Sequence, residues 1–132
     1  MAVTNLMNGR TEVITGNDNV VIVDNFQSIR GGRSLDVTGY TKDMIHAGHV
    51  IIMETVTKEY KPMPLNAAGT DYDALPAGHE YAGILIASIL TKRAFAGIMV
   101  RGTVNHAAAP FPMGAILADV RAALPLIDFR ED

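Results

Sequence analysis

The chain has 132 residues, 48% of them hydrophobic and 19% charged, which suffices for one packed core and excludes a wholly disordered chain. Eleven Lys and Arg against 14 Asp and Glu give a net charge of −3, without the basic excess of proteins that grip nucleic acid by its phosphates. The lack of cysteine removes disulfides, thiolate nucleophiles and zinc–thiolate or iron–sulfur sites together.

Residues 1–7 (MAVTNLM) carry neither the basic region nor the apolar run of a signal peptide. The longest apolar stretch, 82–90, falls short of the roughly 20 residues that cross a bilayer, so a soluble protein is expected. Two β-like runs, 12–15 (EVIT) and 20–23 (VVIV), flank the turn formers Gly16-Asn17-Asp18-Asn19, and this pattern predicts a hairpin. The pair Gly31-Gly32 then interrupts regular structure. Residues 34–38 alternate polar and apolar with period two, as a half-buried strand does. Residues 1–31 are thin in large apolar side chains. They are expected to form an extended arm or hairpin ahead of a domain covering 32–132.

The middle of the chain is denser. Residues 49–53 (HVIIM) make a continuous apolar run of strand length, and 54–59 (ETVTKE) are polar. The run Tyr60-Lys61-Pro62-Met63-Pro64-Leu65 has two prolines, which predict an edge strand or a polyproline-like segment. Residues 66–78 read as a loop, and 81–88 and 96–105 as long strands separated by Lys92-Arg93. Near the end, Ile116, Leu117, Val120 and Leu124 follow one helical face, with Pro112 suited to a first turn and Pro125 to a stop. The spacing predicts a helix over 113–124. The fold class is mainly β with one C-terminal helix (α+β).

Side chains that carry chemistry are few and scattered. His46 and His49 have HxxH spacing, and His79 and His106 are the remaining imidazoles. Gly48 and the strand after it argue against a helix that would align the first two. A cupin-like barrel using these histidines for a metal or ligand is the alternative reading, on the strength of Pro76-Ala77-Gly78-His79. The paired HxH and downstream Glu of that family are missing. None of the serines lies in a GxSxG elbow; Ser88 reads as the end of a buried strand whose hydroxyl bonds backbone. Gly31-Gly32 is no phosphate loop, and Asp71 and Asp73 fall in a loop. No catalytic residue, cofactor or metal ligand is assigned. Met53 and Met99 read as core, whereas Met1, Met7 and Met63, in polar or proline-rich surroundings, read as adaptable partner surface.

Between 32 and 125 the order of short motifs becomes specific. The turn Ala47-Gly48 enters His49-Val50-Ile51-Ile52, followed by Tyr60-Lys61-Pro62-Met63, then Tyr81-Ala82-Gly83-Ile84-Leu85 and Val100-Arg101-Gly102-Thr103-Val104. This order resembles the lambda-type head decoration proteins of tailed bacteriophages. It is more similar still to head-fibre proteins of phages infecting Bacteroides-type bacteria, to which 32–40 (GRSLDVTGY) also corresponds. The resemblance implies a small β-tulip-like or β-sandwich domain without enzymatic activity or cofactor, trimeric, on the outer surface of the capsid. There it would bridge major capsid subunits and stabilise the head, with other head-surface or fibre proteins as further partners. The arm in such proteins adds a strand to the shell. Val13, Ile14, Val20, Val21, Ile22 and Val23 are therefore expected at a capsid or subunit interface by strand addition. Tyr60, Pro62, Met63 and Pro64 are expected to form an exposed ledge facing a neighbour. The family arm is often rich in Pro, Ala and Thr, whereas residues 1–31 here contain no proline.

Overall fold

Consecutive apolar side chains, as in Val50-Ile51-Ile52, point alternately to opposite sides of a strand, so both sides need cover. The computed structural model, which describes residues 15–131, supplies that cover. In chain order the elements are α1 (Asp18–Val21), β1 (Ile22–Ser28), β2 (Arg33–Ser34), β3 (Met44–Ile45), β4 (Val50–Glu54), β5 (Tyr60–Pro62) and β6 (His79–Leu85). They continue with β7 (Ile89–Leu90), β8 (Phe95–Ala96), β9 (Ile98–Asn105), α2 (Leu117–Ala123) and β10 (Ile127–Arg130). The fold is mainly β with a C-terminal helix, and its sheets stay open. The main sheet runs β1-β9-β6-β4-β5, with β10 also paired to β9.

Two apolar layers sandwich this sheet. On one face Val50, Ile52, Ile84, Met99 and Val104 pack with Met63, Met113, Val120 of α2 and Phe129 of β10. On the other, Ile51, Leu85 and Ile98 meet Leu35, Ile45 and Ala96. Each fully buried aliphatic side chain contributes roughly 1.5–3 kcal/mol, so β4, β6 and β9 hold most of the cohesion. Their close approach depends on glycine. A Cβ on Gly83 of β6 would lie 2.5 Å from the Met99 carbonyl oxygen and 2.6 Å from Ile98 Cγ2.

β9 uses both of its edges. β1 runs antiparallel along one, from Ile22 opposite Val104 to Ser28 opposite Met99. β6 takes the start of the other edge at Ile98 and Met99, and β10 takes its end, parallel, from Gly102 to Asn105. The β1 ladder carries on beyond the glycine pair: Ile29 N–H donates to the Ile98 carbonyl, Arg33 faces Ala96, and Leu35 N–H donates to the Ala94 carbonyl. Residues 22–35 and 94–104 thus form one long ribbon, bulged where Gly31 and Gly32 adopt positive φ. β1 therefore belongs to the main sheet, and the ladder runs on past position 31. At its far end the ribbon touches β5 through a single bridge, Leu35 with Tyr60.

Several local features differ from expectation. Of the hairpin, residues 12–14 lie outside the described residues, and the turn formers begin a helical turn instead, with Val20 and Val21 N–H donating to the Asn17 carbonyl. The helical turn carries Val21 inward against Gly48, and only Ile22 and Val23 of the run are extended. The strand expected at 34–38 stops early because the Asp36 carboxylate accepts from Thr38 N–H at 3.1 Å and its hydroxyl at 2.7 Å, turning the chain. Helix α2 starts at Leu117, not at 113. A turn closed by Ile116 N–H on the Met113 carbonyl precedes it, with Gly114, a poor helix former, inside. β10 has no counterpart among the expected elements, although Ile127 and Phe129 are buried and Asp128 and Arg130 exposed, the alternation of a strand.

Candidate functional interface: the open edge at β1

β1 is the last strand on its side of the sheet. One edge carries the ladder to β9, and the other has no partner strand among the described residues. After Ile22 every residue of β1 is exposed, so neither face is covered. Val23 and Phe26 are 50% and 65% exposed on the strand, Val20 is 52% exposed just before it, and Phe95 of the same ribbon is 62% exposed. Asp24 is the only charged side chain on β1. Unpaired backbone groups beside exposed apolar side chains can accept another strand: the ladder supplies affinity and the alternate side chains supply selectivity.

The expected interface residues divide accordingly. Val20 and Val23 are exposed here, and Ile22 is half-buried against the core. Val21 is buried, and Val13 and Ile14 lie outside the described residues. Phe26 and Phe95 were not singled out by sequence reasoning; an aromatic between Asn25 and Gln27 on an otherwise polar strand is the signal that marks the first.

The expected ledge is largely interior. Met63 is fully buried, and its N–H donates to the Val50 carbonyl at 2.8 Å, extending the β4–β5 pairing and turning the thioether into the core. Its partner-surface role is thereby corrected to core packing. Pro62 is buried as well, whereas Pro64 and Tyr60 are half-buried, with the Arg33 guanidinium 5.9 Å from the Tyr60 ring centre.

The histidines serve four separate places. His49 is fully buried, its Nε2 2.9 Å from the Met63 carbonyl oxygen, while the rings of Tyr40, Tyr72 and Phe111 surround it edge-on at 5.1–5.7 Å. A carbonyl only accepts, so Nε2 bears the proton, and Nδ1 keeps a buried lone pair with no partner among the described residues. Burial, partly opposed by the Met63 bond, pushes its pKa down to about 4. His79 Nδ1 lies 3.0 Å from the Ala77 carbonyl, and His106 Nε2 is 3.9 Å from Glu131. Among the described residues no three His, Asp or Glu side chains gather around a point where a metal could sit.

His46 belongs to a trio that looks catalytic and is arranged otherwise. The Ser88 hydroxyl donates to Asp18 Oδ1 at 2.7 Å and accepts from Ala47 N–H at 3.1 Å. Its single proton is thus directed at the carboxylate, and His46 Nδ1, 3.5 Å away, is not placed to abstract it. Asp18 Oδ2 also accepts from Ser88 N–H at 2.9 Å. The trio pins α1 to the chain after β6.

Comparison with known proteins finds no matching family model, no matching curated protein and no matching solved structure.

Proposed function

We propose that this chain is a non-enzymatic structural protein of a bacteriophage virion. It binds the outer surface of the head as a homotrimer, bridging major capsid subunits and stabilising the shell, and it is made in the cytoplasm of the bacterial host. The observation that carries the reading is β1: among the described residues a strand open on both faces and along one edge, with Val23 and Phe26 exposed, suited to adding a strand from a capsid subunit. The motif order behind the resemblance supports it too. Its segments form β4, β6 and β9, and its Gly83 and Gly102 sit where a Cβ would strike neighbouring backbone. Three linked subunits would bind with avidity, which offsets modest affinity at each edge.

The test mixes purified protein with expanded and with unexpanded heads of the phage that encodes it. Binding to expanded heads is expected, and it should be lost on Asn25→Pro, which spoils the strand edge, while the melting temperature moves little. Absence of binding to either form of head sinks the proposal. The mass of the free protein in solution checks the trimer.

A further inference from the structure

At the β5 end of the sheet, opposite β1 in strand order, lies a cleft of about 510 Å³, within the size range of small-molecule sites. It opens between the 36–41 turn, β5 and the loop that follows it. Ile52, Leu65 and the three prolines 62, 64 and 76 give it a firm apolar wall. Among the described residues of the lining, Lys61 and Asp36 are the only ammonium and carboxylate, and they stand 4.0 Å apart. Their charges balance, so neither an anion nor a cation finds an unopposed counter-charge.

The polar groups are more particular. His79 Nδ1–H donates to the Ala77 carbonyl, and its Nε2 is closed off from solvent with no partner among the described residues, so this imidazole offers the cleft its ring edge alone. Asp36 Oδ1 is already occupied by Thr38, and Asn66 Oδ1 by Thr70 N–H. The hydroxyl of Tyr40 makes no hydrogen bond to the described residues; burial raises its pKa to about 12, so it stays a donor. An occupant must therefore bring a donor to Asp36 Oδ2 and an acceptor to Tyr40 and Lys61, carry no net charge, and lay an apolar face on the prolines.

We infer that this cleft binds a neutral saccharide of one or two rings, whose hydroxyls donate and accept and whose ring C–H face is apolar. The inference does not rest on the virion reading, and its failure would leave β1 and capsid binding untouched. The test is a backbone amide NMR titration of the full chain with glucose, galactose, N-acetylglucosamine, maltose and cellobiose, with inorganic phosphate as the charged control. At least one sugar should shift the amides around Tyr40, Asn66 and His79 in a saturable way. Tyr40→Phe, which keeps the ring, and Asp36→Ala should each weaken that binding about tenfold, equivalent to about 1.4 kcal/mol. No shift with any sugar, shifts outside the cleft, shifts undiminished in both variants, or binding of phosphate in place of sugar would each overturn it.

Discussion

β1 and β6 are strands of equal length in the same sheet, seven residues each, yet they are held differently. β6 ends in Gly83-Ile84-Leu85, all buried, with its side chains committed to both apolar layers. β1 reads Asp24-Asn25-Phe26-Gln27 through its middle, buries almost nothing, and shifts register against β9 at three points. One strand is kept by side chains and the other by backbone pairing. A strand kept by its backbone alone leaves its side chains and outer edge available to another molecule, and the sheet loses little if they change.

Four experiments would break or sharpen that contrast. Gly83→Val should do most harm, because its side chain would enter the Met99 carbonyl; the loss should exceed about 4 kcal/mol or abolish folding. An unchanged urea midpoint would mean that β6 does not approach β9 so closely. Met63→Ala should cost about 2–5 kcal/mol by leaving a cavity, and a loss below about 0.5 kcal/mol would return Met63 to the surface.

Acid should act next, through His49. Its folded pKa of about 4 lies below the ordinary 6.5, so the unfolded chain takes up the proton first as the pH falls. The group's contribution is complete above about pH 6.5 and is lost progressively toward pH 4, by at most about 3 kcal/mol. In His49→Gln, which cannot titrate, urea unfolding between those pH values should show a flatter slope; equal slopes would place the ring in water. The smallest effect on stability is expected at β1. Val23→Thr with Phe26→Ser should change stability by no more than about 0.5 kcal/mol while weakening capsid binding, and a large loss of stability would erase the distinction between the two strands.

The central strands were legible because their apolar runs leave few alternatives: Val50-Ile51-Ile52 and Ile84-Leu85 belong inside whatever the topology. What stayed hidden depended on partners distant in sequence. Val20-Val21 has the composition of a strand, yet Ser88, far along the chain, holds Asp18 so that the pair turns as a helix. Met63 between two prolines looks like surface until its N–H is seen to bond Val50. The alternation at Ile127 and Phe129 was readable, but so short a run gains meaning only from the parallel edge that β9 offers. Of the interface, Val23 could be named from sequence. Phe26 could not, because exposure on both faces of β1 follows from its place at the rim.

The long ribbon bears on how the chain reaches this state. It joins Ile22 to Val104, so β1 docks only by closing all the chain between those two residues into a loop, and such non-local pairing is slow to form. Strands β4, β5 and β6 pair with nearer neighbours, and β1 would then be the last to arrive. Until it does, the edge of β9 is bare, and the β1 of a second molecule fits it as well as the chain's own. At high concentration refolding should therefore yield strand-exchanged dimers, a trap set by topology and relieved by dilution.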